Sequence, residues 1–199
     1  MSKKYVLMCD YGLDDAAATA FVLDNREAGD SVDVMPIGGN SEKSVAYRNG
    51  QTLLARYEGS LDGVRVVDTR EEEQPFANLP SIHGEDGMGD IGLVPHRLKI
   101  GEGNGVIRML EALKASEPGE IDIIALGPLT NLALAIRLDK EAVKKAGRIV
   151  CMGSAGLGVG NATPLAEFNI WQDAEAAKIV VELSNWFWWA GTPAWATPC

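Results

Sequence analysis

Val6-Leu7-Met8-Cys9-Asp10-Tyr11-Gly12-Leu13-Asp14-Asp15-Ala16-Ala17-Ala18 is the stretch that decides the fold. An apolar run beginning at Tyr5 reads as a buried strand that stops at Asp10. The chain then turns through Tyr11-Gly12 and starts an alanine-rich helix at about Asp14. Three carboxylates thus stand at or just beyond the strand's carboxyl end, where open α/β sheets keep their ligand sites. Two unit charges about 4 Å apart repel by roughly 4 kcal/mol at an effective dielectric of about 20. Acids gathered in this way need a cation, a shared proton or ample water. Helix capping accounts for Asp14 or Asp15, because first-turn acids suit the helix dipole. It leaves Asp10, on the strand side, unexplained, and a divalent-metal site is favoured.

The same strand–turn–helix grammar recurs along the chain. A strand from Val32 to Ile37 runs into Gly38-Gly39-Asn40, where two glycines allow a ligand to approach the backbone closely. A helix from about Ser41 to Glu58 follows, then a strand over Val64–Val67. Residues 69–105 are loop-rich, with a solvated acidic run at Glu71-Glu72-Glu73 and the polar loop Ser81 to Asp90. Gly101-Glu102-Gly103-Asn104-Gly105 fails the dinucleotide spacing because Val106 follows Gly105, and it reads as a flexible lead into a helix over Val106–Ala115. Ile121–Leu126 is a buried strand closed by Gly127-Pro128-Leu129-Thr130-Asn131, with a helix over Leu132–Leu138 behind it. Arg148–Met152 is another strand, leading into the glycine-rich segment Gly153 to Asn161. Ala166–Asp173 alternates polar and apolar residues, and Ala174–Leu183 is helical. Alternating strands and helices predict an α/β fold with a mostly parallel central sheet and helices on both faces. No repeat or linker divides the chain, so residues 1–199 read as a single domain with one cleft along one sheet edge.

Composition narrows the partners. Of 199 residues, 46% are hydrophobic and 23% charged, the balance of a globular domain. A formal charge of −10 argues against nucleic acid and anionic membrane as partners, and for cations. The start is too short an apolar run for a signal peptide, and no segment reads as a membrane span. Cys9, Cys151 and Cys199 form neither a disulfide framework nor a zinc pattern, so a reducing cytoplasm is expected.

Five segments taken together resemble the inosine-uridine preferring nucleoside hydrolase family. Asp10-Tyr11-Gly12-Leu13-Asp14-Asp15 matches its opening acidic motif except for the first acid. Gly39-Asn40, the loop from Ile82-His83-Gly84 through Asp86-Gly87 to Gly89-Asp90, Gly127 to Asn131, and Gly160-Asn161 with Ala166-Glu167-Phe168-Asn169 follow in the family's order, up to about Leu183. The resemblance implies a Rossmann-like nucleoside hydrolase fold and hydrolysis of ribonucleosides to ribose and free base. It implies that Asp10 is a calcium ligand and the general base for water, with Asp15 and the Leu126 carbonyl as further ligands. Asp14, Asn40, Asn161, Glu167 and Asn169 would hold the ribose hydroxyls, Met152 would lie nearby, and His83 would sit at the pocket mouth near the base. Calcium suits these oxygen donors. The family's members are commonly dimers or tetramers, so a homo-oligomer is implied as well.

Plainer roles compete at several positions. Asn40 and Asn161 after glycine also fit turns, His83 fits a surface loop, and Met152 fits a core. Glu167 and Asn169, two apart, would share one face of a strand and point a polar pair at the cleft. Met8 stands where the family's first acid would be, which is expected to weaken cation affinity, and Tyr11 replaces the usual proline. Nothing after Leu183 matches the family's C-terminal portion, which supplies a further aspartate ligand and a histidine beside the leaving base. The tail 185–199 holds four of the five tryptophans and shows neither strand alternation nor a helical stripe. Its codons at Phe187-Trp188-Trp189-Ala190, read two bases on, force Leu-Val-Gly, so a shifted reading frame is one explanation and a tryptophan-rich interface the other. Two other functions stand beside the hydrolase: a non-catalytic binding or assembly protein, and a magnesium-dependent phosphohydrolase with Asp10 as nucleophile. Gly12 in the place of the latter's second acid ranks it last.

Overall fold

The computed structural model describes residues 2–57, 63–67, 80–95, 100–101, 103–156, 158–183 and 187–189. Strand β1 (Lys4–Cys9), helix α1 (Leu13–Asn25), β2 (Ser31–Pro36) and α2 (Lys43–Leu54) come first, α2 ending in a 3-10 turn at Ala55–Tyr57. Then follow β3 (Val64–Val67), the single turn α3 (Pro80–His83), β4 (Ile100–Gly101) and α4 (Gly105–Ala115). The last third comprises β5 (Ile121–Ala125), α5 (Thr130–Val143), β6 (Ile149–Met152), α6 (Phe168–Gln172), α7 (Ala174–Val181) and β7 (Phe187–Trp189).

These strands form one parallel sheet in the order β4-β3-β2-β1-β5-β6-β7. The chain builds outward from β1 to β4, then returns to β1's other side and builds outward again through β5. The order therefore reverses between β1 and β5, and there the carboxyl ends of neighbouring strands diverge into a crevice. Met8 pairs with Ala125, and the Leu126 amide donates to the Met8 carbonyl at 2.8 Å. Asp10 and Leu126 follow these two strands directly, so both lie at the crevice.

Alternation along β1 separates two cores. Val6 and Met8 join Ile123 and Ile149 under Leu113 of α4, Leu132 of α5 and Val180 of α7. Leu7 and Cys9 join Val32 and Val34 under Leu23 of α1 and Leu54 of α2. Met8 is fully buried in the first core, an apolar side chain in an apolar place.

Three expectations are corrected. The segment containing Glu167 and Asn169 is not a strand: Glu167 is the N-cap of α6, its carboxylate accepting from the Ile170 amide at 3.1 Å. A local cap outcompetes extended pairing there. Helix α5 runs beyond Leu138 to Val143, across a kink at Asp139 (φ −157°, ψ 85°). Within the tail, Phe187–Trp189 does form a strand, with Met152 opposite Trp189 on β6, while residues 190–199 lie outside the described residues. The acidic run 71–73 also lies outside them. No described helix is long and apolar enough to cross a membrane.

Candidate functional site

At the β1–α1 junction Asp10 is fully buried and Asp15 is 2% exposed. Asn40 binds Asp10 with both of its donors: its backbone amide reaches Oδ2 at 2.7 Å and its side-chain Nδ2 reaches Oδ1 at 3.1 Å. Asp15, in the first turn of α1, accepts from the Gly12 amide at 3.1 Å through Oδ2. Its other oxygen, Oδ1, is buried without a hydrogen-bond partner. The two carboxyls act on each other, Asp15 favouring the ionised form of Asp10 and Asp10 favouring the protonated form of Asp15. Burial pushes the Asp10 carboxyl up to about 6, against the lowering influence of its bonds to Asp15 and Asn40. Burial, then the charges of Asp10 and Asp14, push Asp15 well above the usual carboxylate range. Among the described residues no three His, Cys, Asp or Glu side chains converge as a metal cluster. A cation at this junction would find two carboxylates and the Leu126 carbonyl.

Glycines make room for the pair. A Cβ on Gly39 would collide with the Asp10 carboxyl, lying 2.8 Å from its Cγ, and one on Gly127 would stand 3.0 Å from the same atom. The space at Gly39 that the sequence reserved for a ligand is thus filled by Asp10 itself. Gly39→Ala is expected to lower stability by about 1–3 kcal/mol through overpacking, read as a fall in the urea midpoint at unchanged slope. Between Asp10 and Gly12, Tyr11 takes φ 47° while fully buried, a backbone conformation closed to proline.

Asn169 accounts for the Leu126 carbonyl. Its Nδ2 donates to that carbonyl at 2.8 Å and to the Met152 carbonyl at 3.1 Å, so one buried amide clamps the ends of β5 and β6 together. A carbonyl oxygen has two lone pairs, so Leu126 keeps one for another ligand. Asn161 accepts from the Phe168 amide at 2.7 Å, so with Glu167 it satisfies the start of α6. Burial raises the Glu167 carboxyl, opposed by backbone amides that bind its ionised form.

Two cavities flank the end of β6. One of about 570 Å³ is lined by Asp14, Asp15, Phe21, Leu126 and Met152. The other, about 600 Å³, starts one residue on, at Gly153, and is lined by Ser154, Leu165, Glu167 and Lys178 among others. Asp14 and Glu167, both expected at the ribose, thus line different cavities, and Asn40, His83, Asn161 and Asn169 line neither. His83 lies against Gly12, its Nδ1 accepting from the Leu13 amide at 3.3 Å. Asn40 meets Asp10, and Asn169 meets the Leu126 carbonyl and Met152. The bonds to Asp10 and Leu126 were not readable, because they span 30 and 43 residues. Asn49, which anchors the 84–90 loop by donating to the Asp86 carbonyl at 2.8 Å, had no motif signal at all.

The sequence profile described as inosine-uridine preferring nucleoside hydrolase matches residues 5–193, extending past Leu183. A probable uridine nucleosidase 2 of Arabidopsis thaliana is 38% identical over 183 residues, covering 89% of this chain and 55% of its own length. The inosine-uridine preferring nucleoside hydrolase of Leishmania major is 34% identical over 183 residues, 90% of this chain and 57% of its own. A solved plant nucleoside hydrolase superposes with TM-score 0.81 at 31% identity, covering 94% of this chain and 60% of that one. The chain thus spans little more than half the length of the curated relatives it matches. With the acidic junction, the parallel sheet and the match across nearly all of its residues in agreement, this chain belongs to the inosine-uridine preferring nucleoside hydrolase family.

Proposed function

We propose that this chain hydrolyses the N-glycosidic bond of ribonucleosides, with Asp10 as the base that takes a proton from the attacking water. The observation that carries this reading is the buried Asp10–Asp15 pair at the strand-order reversal. A base is most useful when its proton affinity lies near the working pH, and burial has brought Asp10 there. Asn40 holds both oxygens of that carboxylate and so aims it. Water loses its proton to Asp10 and its oxygen bonds to the anomeric carbon. The bond to the base breaks, and the base leaves with that electron pair and takes up a proton. Positive charge develops on the sugar, as in other glycoside hydrolyses. Asp14, which shares a cavity with Asp15, Leu126 and Met152, is the acid that would meet ribose hydroxyls there, with Met152 as an apolar wall, whereas Glu167 lines the neighbouring cavity.

The junction's donor set fits a hard cation such as calcium. The orphaned buried oxygen of Asp15, the Asp10 carboxylate and the Leu126 carbonyl are all oxygen ligands in a place with too much buried acid. When bound, the ion supplies charge that lowers the proton affinity of water and sugar hydroxyls. Ribose release from inosine and uridine, with and without a calcium chelator, tests the function. Release that the chelator stops supports it. Silence with both nucleosides favours a binding protein, and phosphate release from a generic ester favours a phosphohydrolase.

A further inference from the structure

The N-cap of helix α1 is Gly12, which has no side chain with which to cap it. The first amides of a helix have no intrahelical acceptor and need one from elsewhere. Asp15 reaches back to the Gly12 amide, and the Leu13 amide is met by Nδ1 of His83, 70 residues away in sequence. The contact is close: a Cβ on Gly12 would lie 2.7 Å from His83 Cε1 and 2.8 Å from Nδ1. His83 is itself anchored, its carbonyl accepting from the Gly89 amide at 2.6 Å. The loop behind it is closed on itself, Asp86 Oδ1 accepting from the Met88 and Asp90 amides and Asp90 Oδ1 accepting from the Asp86 amide. Asn49 ties that loop to α2.

We propose that His83 is a positioning residue, a cap supplied in trans to α1 that sets the first turn carrying Asp14 and Asp15. An acceptor at Nδ1 places the ring's proton on Nε2. Protonating Nδ1 would break the bond to Leu13 and put positive charge at the helix's positive end. Burial already lowers the ring's proton affinity, against the pull of Asp14. His83 thus keeps its ring proton on Nε2 and caps the helix through Nδ1. This role rests on the reading of the α1 acids as ligand-holding groups.

Two variants test it. In His83→Asn the side-chain oxygen takes the place of Nδ1 and keeps the cap, whereas His83→Leu keeps bulk and removes the acceptor. In the metal-free chain, His83→Leu is expected to speed amide exchange at Leu13 about tenfold relative to His83→Asn. Calcium affinity, read by calorimetry, is expected to fall about tenfold in His83→Leu and to stay within about threefold in His83→Asn, the size of effect expected of a group that orients ligands. Equal exchange in the two variants, or equal calcium affinity despite faster exchange, overturns the positioning role. Should the native chain bind no calcium, the metal reading fails by itself, and the Leu13 exchange still decides whether His83 is the cap.

Discussion

Asp15→Asn is expected to stabilise the metal-free chain and to weaken the proposed cation binding sharply, two effects of opposite benefit from one atom. Asp15 is buried, its Oδ2 accepts from the Gly12 amide, its Oδ1 has no hydrogen-bond partner, and the neighbouring Asp10 raises its proton affinity. An amide reproduces the useful part of this arrangement, its oxygen accepting from Gly12 and its NH₂ donating to the Asp10 carboxylate. It does so without a second charge or a shared proton. Breaking up a buried like-charge pair in this way is expected to add on the order of 1–2 kcal/mol at pH 8. Urea denaturation in the presence of a chelator measures it. Calcium affinity is expected to fall about 100-fold or more, because the substitution removes a ligand rather than a supporting neighbour. A variant less stable than the parent that still binds calcium as the parent does would contradict the proposed role of the pair.

Without metal, the native chain is expected to lose stability as pH rises. A carboxyl that holds its proton more tightly folded than unfolded stabilises the fold at low pH, and that stability disappears as pH rises through the folded value. Asp10 moves from 3.8 to about 6, so its contribution is fully present below about pH 4 and gone above about pH 6. Taken alone it amounts to on the order of 3 kcal/mol. Asp15, raised further, extends the decline to higher pH. Carboxyls held below the usual range, such as Asp139 beside Lys114, pull the other way at acid pH. The stability maximum is therefore expected on the acid side of neutrality when a chelator is present. Calcium is expected to move it upward, because a bound cation favours the ionised forms of both acids. Melting temperatures across pH 4–9, with chelator and with calcium, check both statements.

The layout of the sheet was legible because its strands are short apolar runs ending in polar or glycine-rich turns, as at Cys9-Asp10 and Ala125-Leu126. The crevice followed from that grammar, since the acids and the Leu126 carbonyl come directly after β1 and β5. What was not legible depends on contacts far apart in the chain. Asn169 clamps Leu126 across 43 residues, and no local pattern announces it. Helix α6 was hidden because five residues are too few for helical periodicity, while Glu167-Phe168-Asn169 happens to alternate like a strand. The three residues of β7 were hidden for a related reason, because an all-aromatic run gives no alternation to read. In the sequence Asn40 fits a turn residue as well as a ligand-holding amide, and in the fold it is the partner of Asp10.

Acids from the β1–α1 junction are proposed to hold a hard cation. Calorimetric titration of the native chain with calcium at pH 7.5, with a melting curve at each end, tests it most directly. The expected result is a single site and a stabilised chain, by about 2.7 kcal/mol when free calcium is a hundredfold above the dissociation constant. No heat of binding and an unmoved melting temperature at millimolar calcium would contradict it.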